Sequence, residues 1–159
     1  MVDGDLRRPA VDRLFDLPLG PGLSELLRGE AELADVIRPA PADGLWLMPA
    51  GDGDGEAIRA LAYRDLRAVL DRLKEQYDFI VFDSSPVLLV ADALLIGQHV
   101  DAVLFSIMRD VSRIPRVYAA YERFQALGIR MLGAIVTGTP DELYGGYQYT
   151  YAARPRDRA

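Results

Sequence analysis

The sequence has no cysteine, a single histidine, His99, and a single lysine, Lys74, among its 159 residues. The absence of cysteine excludes disulfides, zinc–thiolate sites and thiol nucleophiles, and one histidine excludes metal sites with several histidine ligands. Long hydrophobic runs are also missing, because no stretch of about 18 apolar residues occurs, and the sequence therefore predicts no membrane span. The net charge of −6 argues against a general nucleic-acid-binding protein.

Short apolar stretches alternate with amphipathic stretches, a pattern typical of an α/β fold in which helices cover both faces of a parallel sheet. The predicted strands end at residue 3 and span residues 45–48, 78–83, 102–107 and 131–136. The predicted helices or helical turns span residues 9–15, 22–29, 33–37, 57–76, 88–96 and 114–127. We expect one domain over residues 1–136 and a flexible, tyrosine-rich tail over residues 137–159.

Two carboxylates, Asp3 and Asp5, follow the first predicted strand and precede Arg7. At the carboxyl end of a parallel strand, such side chains reach the crevice in which ligands bind. Carboxylate oxygens suit Mg²⁺, and arginine suits phosphate. The alternative is a charged turn whose ion pairs lie in solvent.

A third carboxylate, Asp83, ends the clearest of the predicted strands, an apolar run between two carboxylates, and is followed by Ser84, Ser85 and Pro86. In P-loop enzymes an acidic residue at this position helps to hold Mg²⁺. The alternative is that Asp83 or Ser84 simply caps the segment that follows. The two motifs, in this order and about 80 residues apart, are more specific together than separately.

In this combination the sequence resembles the bacterial tyrosine kinases of capsular and exopolysaccharide systems, which are related to MinD/ParA-type ATPases. Asp3, Asp5 and Arg7 match the family's Walker A′ motif, Asp-x-Asp-x-Arg after an apolar strand, and residues 80–86 match its Walker B motif. Three further segments agree with the family in the same order: residues 22–30, 45–51 and 87–93. The resemblance covers about residues 3–136 and implies a doubly wound, mostly parallel sheet of P-loop NTPase type.

The resemblance also implies a mechanism that uses ATP and Mg²⁺. Asp3 would lie near Mg²⁺ and accept the proton of a tyrosine hydroxyl, while Asp5 and Asp83 would order the metal and its waters. Arg7 would contact phosphate or a neighbouring subunit. Thr137 stands where relatives usually carry an asparagine, at a position of contact with the nucleotide base.

Four tyrosines crowd the C-terminal tail: Tyr144, Tyr147, Tyr149 and Tyr151. The resemblance implies that they are phosphoacceptors, with the tail of one subunit entering the active site of the next. Each phosphate would add about −1.5 to −2 charges, so several would repel an acidic neighbour and open a ring of subunits. The alternative is an edge strand or an aromatic interaction surface, although the intervening glycines weaken a strand.

The family's phosphate-binding loop has the form Gly-x-x-x-x-Gly-Lys-[Ser/Thr], and no such sequence occurs in this chain. Lys74 has no glycine just before it, and residues 51–55 are rich in glycine but acidic, so neither replaces the loop. We therefore expect the fold to lack its first strand, phosphate loop and helix, through truncation or an incomplete gene model. We also expect the chain as given neither to bind ATP tightly nor to phosphorylate protein.

Three functions stay open at this point. The first is an ATP-dependent protein-tyrosine autokinase that regulates exopolysaccharide or capsule synthesis and export. The second is a MinD/ParA-type ATPase, which hydrolyses ATP without phosphorylating protein. The third is a degenerate, non-catalytic scaffold or regulatory partner.

For the kinase, the resemblance implies a set of partners. They are a membrane-embedded activator of polysaccharide chain length and export, fused or separate, further copies of the full-length chain in a ring, and a phosphotyrosine phosphatase. Nucleic acid is not expected. Because the N-terminus has no basic start leading into an apolar segment, it is not a signal peptide. We expect a cytoplasmic chain, held at the inner face of the membrane by its partner.

Overall fold

The computed structural model describes residues 1–63 and 66–138. The first elements, in order, are β1 (Val2–Asp3), α1 (Val11–Leu14), α2 (Leu23–Arg28), α3 (Leu33–Val36), β2 (Arg38–Pro39), β3 (Trp46–Leu47) and α4 (Gly55–Tyr63). They are followed by α5 (Leu66–Lys74), β4 (Phe82–Asp83), α6 (Asp92–Gly97), β5 (Val103–Met108), α7 (Ile114–Ala126) and β6 (Met131–Thr137). Among these described residues, no helix combines the length and the apolar character needed to cross a membrane.

Parallel pairing joins strands that are far apart in the sequence. β1 pairs with β4, which places Val2 opposite Phe82 and Asp3 opposite Asp83. β5 pairs with β6, also in parallel, and α7 forms the crossover between them. A short antiparallel pair, β2 with β3, adds a third two-stranded unit. The predicted α/β class with mostly parallel strands is therefore confirmed in the described part of the chain.

Two hydrophobic cores flank helix α6. The larger core collects buried side chains from β1 and from helices α2 to α5, including Leu23, Leu66 and Leu70, together with Ile96 of α6. The smaller core contains Ala93 of α6, Phe124 of α7 and Ile129. Because α6 packs in both cores, the position of its first residue, Asp92, is fixed by packing.

Several element boundaries differ from the predictions. The strand predicted over residues 78–83 forms a ladder only at Phe82–Asp83, because β1 is two residues long. The helix predicted over residues 88–96 begins at Asp92, because residues 86–90 form a turn in which the N–H of Leu89 donates to the carbonyl of Pro86. The region predicted as one helix over residues 57–76 contains α4 and α5, and residues 64–65 lie outside the described part of the chain.

Candidate metal and phosphate site

Asp3 is completely buried at the end of β1. Its Oδ1 accepts a hydrogen bond from the backbone N–H of Asp5 at 3.2 Å, and its Oδ2 accepts from the backbone N–H groups of Ala10 and Val11 at 2.9 Å each. These two amides open α1, a helix whose own preceding residue provides no side-chain cap. Asp3 thus caps α1 from a distance and holds the loop between β1 and α1 in place.

Asp5 connects the motif of Asp3, Asp5 and Arg7 to the motif that contains Asp83 and Ser85. Its Oδ1 accepts hydrogen bonds from the backbone N–H groups of Arg7 and Arg8, at 3.2 and 3.1 Å. The same oxygen accepts from the hydroxyl of Ser85 at 2.7 Å, across 80 residues of sequence. Ser85 is buried and follows β4. The two motifs therefore meet at one end of the β1–β4 pair.

Asp83 lies opposite Asp3, and neighbouring strands in a sheet are about 4.8 Å apart. The residue is exposed overall, but partial burial of its carboxylate raises the pKa of Asp83 above its ordinary value, as does the charge of Asp3 beside it. The backbone N–H of Ser84 opposes this shift in pKa, and the charge of Asp5 adds to it. Negative charge is thus concentrated at the carboxyl end of two strands, where a cation would stabilise the arrangement.

Gly4, between the two carboxylates of the first motif, has no room for a side chain. Its N–H donates to the carbonyl oxygen of Asp83 at 2.8 Å. A Cβ added to Gly4 would lie 2.8 Å from that oxygen and 2.9 Å from Cδ1 of Ile96. The close approach of the two acidic motifs therefore depends on glycine at this position.

Arg7 is bound to the start of α6. Its Nε donates to Oδ2 of Asp92 at 2.7 Å and its Nη2 donates to Oδ1 at 3.2 Å. The hydrogen bond to Asp92 raises the pKa of Arg7, and the charge of Asp92 adds to this effect. The predicted contact of Arg7 with phosphate or with a neighbouring subunit stays a prediction.

Sequence reasoning missed the roles of Asp92 and Ser85. Asp92 interrupts the apolar run over residues 87–96. A lone carboxylate in such a run is a signal that could have indicated a buried residue with a charged partner. Ser85 belongs to the second motif, but no local pattern indicates that it donates to Asp5. The partners of these two residues lie 85 and 80 positions away, so that only the fold reveals the contacts.

The donors at the end of the β1–β4 pair fit Mg²⁺, although they do not form a ready-made cage. Within residues 1–63 and 66–138, no three His, Cys, Asp or Glu side chains are grouped so as to hold a metal ion. Mg²⁺ is usually held by one or two carboxylates together with waters and substrate phosphates. Asp5 and Asp83 supply such oxygens, and the pKa of Asp83 is raised first by partial burial of its carboxylate and then by the negative charge of Asp3 beside it.

The other predicted site residues lie elsewhere. Thr137 is exposed at the end of β6, where its hydroxyl reaches the carbonyl oxygen of Ile107 at 3.5 Å. In the described part of the chain, no hydrogen bond or ion pair joins Thr137 to the three acidic residues, and its contact with a nucleotide stays a prediction. The four predicted phosphoacceptors lie outside the described residues: Tyr144, Tyr147, Tyr149 and Tyr151.

Curated proteins similar to the chain carry kinase names. The tyrosine-protein kinase Ptk of Acinetobacter johnsonii is 29% identical over 136 residues, which cover 86% of this chain and 19% of that protein. CapB of Staphylococcus aureus, also named as a tyrosine-protein kinase, is 28% identical over 151 residues, which cover 95% of this chain and 66% of that protein. The chain thus spans about a fifth of the first relative and about two thirds of the second. No protein-family model matches the chain.

Solved structures similar to this one include kinase domains and ATPases. The kinase domain of VpsO has a TM-score of 0.80 and 30% identity, covering 85% of this chain and 67% of that chain. The kinase domain of the Escherichia coli tyrosine kinase Etk has a TM-score of 0.84 and 29% identity, covering 94% and 59%. The cell division ATPase MinD of Pyrococcus furiosus has a TM-score of 0.70 and 26% identity, covering 88% and 60%. These neighbours confirm the predicted α/β fold of P-loop NTPase type.

Proposed function

Because the chain belongs to the bacterial tyrosine kinases, we propose that it serves the ATP-dependent autophosphorylation of protein on tyrosine. We propose that this activity regulates the synthesis and export of exopolysaccharide or capsule. The observation that supports the proposal most is the pairing of β1 with β4, which sets Asp3 beside Asp83. Ligands of open α/β sheets bind outside the carboxyl ends of the strands, where these residues lie.

Asp5 and Asp83 are the residues that would hold Mg²⁺ in this proposal. When bound, the ion would neutralise charge on the phosphates of ATP during transfer. The hydrogen bonds to Asp5 in the described part of the chain all fall on Oδ1, which leaves Oδ2 for a ligand. Asp83 is exposed overall and its carboxylate is only partly buried, so a ligand can reach it.

Asp3 is proposed to take the proton of the attacking tyrosine hydroxyl. A tyrosine with a pKa of about 10 attacks poorly at neutral pH unless a base or a metal assists it. Oδ2 of Asp3 accepts two N–H bonds and Oδ1 accepts one, so Oδ1 has the spare acceptor capacity. Since Asp3 is completely buried, groups that cover it have to move before a hydroxyl reaches it.

The remaining site residues complete the proposal. Arg7, whose side chain is 41% exposed while it is paired with Asp92, would contact phosphate or a neighbouring subunit, and Thr137 would contact the nucleotide. The proposed phosphoacceptors are the tyrosines of the tail: Tyr144, Tyr147, Tyr149 and Tyr151. Their phosphorylation would add negative charge to a chain whose net charge is already −6, which favours separation of neighbouring copies.

The proposed partners follow from the proposed function. They are a membrane-embedded activator of polysaccharide chain length and export, further copies of the chain in a ring, and a phosphotyrosine phosphatase. Through the activator, the kinase would work at the inner, cytoplasmic face of the membrane.

We further propose that these 159 residues alone bind ATP weakly and do not phosphorylate protein. They contain no Gly-Lys loop, so they lack the amide groups and the lysine that anchor the β- and γ-phosphates in P-loop enzymes. A titration with labelled ATP in the presence of Mg²⁺ should show no saturation at micromolar ATP. Saturation at such concentrations would overturn this part of the proposal.

A second candidate function is ATP hydrolysis without protein phosphorylation. It is favoured by the likeness to MinD, at a TM-score of 0.70 and 26% identity. The two candidates differ in their products, since the kinase leaves phosphate on tyrosine and the ATPase releases it into solution.

The test uses a chain in which the strand, Gly-Lys loop and helix of a curated relative are joined ahead of Met1. After incubation with ATP and Mg²⁺, mass spectrometry should find phosphotyrosine within residues 139–159. The double variant Asp5→Asn/Asp83→Asn should lose it. Asp101→Asn, a change at a carboxylate that is 88% exposed, is the matched control and should keep it. Phosphate release without phosphotyrosine would favour the ATPase, and the absence of both would favour a scaffold.

A further inference from the structure

A forked ion pair holds the loop between β1 and α1 against α6. Arg7 binds Asp92 through Nε at 2.7 Å and through Nη2 at 3.2 Å, so that both carboxylate oxygens are engaged. The side chain of Asp92 is 4% exposed and that of Arg7 is 41% exposed. The two parallel bonds fix the direction of the guanidinium group as well as its distance. A carboxylate buried to this degree requires a partner, and Arg7 provides one.

Asp92 is the fixed member of the pair. It is the first residue of α6, and the next residue, Ala93, packs in the smaller core while Ile96 packs in the larger core. At the far end of α6, a Cβ on Gly97 would lie 3.1 Å from Ile129, which shows how closely the helix is packed. Any movement between the two partners therefore falls on the loop that carries Arg7.

That loop contains Asp5, one of the two proposed Mg²⁺ ligands, and it follows directly on Asp3 of β1. The backbone N–H of Arg7 donates to Asp5, and Ala10, three residues beyond Arg7, donates its N–H to Asp3. Ser85 braces Asp5 from the other side. The loop is thus attached at two points to the segment that follows β4, once through the hydroxyl of Ser85 and once through Asp92.

We infer that Asp92 is a positioning residue for the acidic site. Through Arg7 it holds the loop that follows Asp3 and contains Asp5 against the strand end that carries Asp83. The inference rests on the proposed function of these carboxylates as a Mg²⁺ site. Loss of a group that orients metal ligands from behind weakens metal affinity about 10- to 100-fold, and we expect the lower part of this range because Ser85 still braces Asp5.

The first test measures the loop itself. Asp92→Asn keeps the size of the side chain and removes the charge that holds Arg7. By hydrogen exchange, the amides of Ala10 and Val11, which donate to Asp3, should exchange about tenfold faster than in the parent chain. Amides within β5 should keep their rates. The control Asp101→Asn, at an exposed carboxylate, should leave all these rates unchanged.

The second test measures the metal site. Mn²⁺ alone is titrated into the ¹⁵N-labelled chain, and the broadening of the signals of Gly4 and Ser84 gives its dissociation constant. This constant should rise about tenfold in Asp92→Asn and stay unchanged in Asp101→Asn. A merely structural role for Asp92 would lower the melting temperature and leave the dissociation constant of the folded chain unchanged.

The double variant Arg7→Met/Asp92→Leu removes both charges and both hydrogen bonds of the pair, and it leaves no buried charge without a partner. It replaces the single variant if that chain does not fold. In the folded variant, an unchanged dissociation constant would overturn the inference, whether or not the exchange of Ala10 and Val11 became faster. If Mn²⁺ broadens no signals locally in the parent chain, the proposed metal site fails, and the exchange rates alone then decide whether Asp92 holds the loop.

Discussion

The strand pair that carries the acidic residues should be sensitive to a single added carbon at Gly4. In Gly4→Ala the new Cβ would lie 2.8 Å from the carbonyl oxygen of Asp83 and 2.9 Å from Cδ1 of Ile96. A side-chain Cβ almost never lies within 3.0 Å of a nonbonded heavy atom, so both contacts require something to shift. The side chain of Ile96 can rotate, but the oxygen of Asp83 is backbone and accepts the N–H of Gly4 itself at 2.8 Å. The clash is therefore relieved only by separating β1 from β4, and overpacking of this kind costs about 1–3 kcal/mol.

Urea denaturation measures this cost directly. The free energy of unfolding of Gly4→Ala should be lower than that of the parent by about 1–3 kcal/mol, with an unchanged dependence on urea. Gly55→Ala is the matched control, because Gly55 has no positive φ and its Cβ would meet only Nη1 of Arg59, at 3.9 Å. Since Gly55 begins α4, alanine there should be neutral or should stabilise by up to about 1 kcal/mol. A Gly4→Ala chain as stable as the parent would refute the close approach of β1 and β4.

Three further changes have separate readouts. Ser85→Ala removes the 2.7 Å hydrogen bond to Asp5 and should lower the free energy of unfolding by about 1.5–3 kcal/mol. The control Ser106→Ala, at an exposed position of β5, should change this free energy by less than about 0.5 kcal/mol. Equal effects of the two substitutions would contradict the contact between Ser85 and Asp5. Asp83→Asn removes a carboxyl group whose pKa the fold raises above 3.8. Because the native state binds that proton more tightly than the unfolded state, the parent loses stability as pH rises through the folded pKa. The metal-free variant should therefore be more stable than the parent at neutral pH, and the difference should close as pH falls below the ordinary pKa of an aspartate, about 3.9. Denaturation curves that do not converge in this way would contradict the raised pKa of Asp83. Leu70→Ala, at a side chain 2% exposed in the larger core, should cost about 2–5 kcal/mol in the same urea assay, and a cost under about 1 kcal/mol would mean that this core is not packed as described.

The ends of the two acidic strands could be predicted from the sequence. Apolar residues before Asp3 and Asp83 predicted two parallel strands that end at these carboxylates, and the structure places the two residues opposite each other. The prediction succeeds because apolar residues favour a strand and a charged residue ends the run at the edge of the sheet. Burial is not the common cause, since Val2 of β1 is buried whereas Phe79 and Val81, just ahead of β4, are 89% and 60% exposed. The glycine predicted to close α2 is likewise found: Gly29 has φ of 79°, a conformation that glycine adopts readily.

The contacts that join the two motifs could not be predicted in this way. Ser85 donates to Asp5 across 80 residues and Arg7 donates to Asp92 across 85, whereas periodicity reports only which face of an element is buried. The strand β2 also escaped prediction, because an element of two residues that includes Pro39 has no period to detect. The predictions for the tyrosine tail stay predictions, since residues 139–159 lie outside the described part of the chain.

The central claim is that the carboxylates at the ends of β1 and β4 form one metal-binding site for a nucleotide. The most direct test is a map of Mn²⁺-induced broadening, residue by residue, across the ¹⁵N-labelled chain. We predict that the signals of Gly4 and Ser84 broaden first and that Asp5→Asn/Asp83→Asn abolishes this local effect. Broadening that is equally strong at a surface carboxylate such as Asp101, or that persists in the double variant, would contradict the claim.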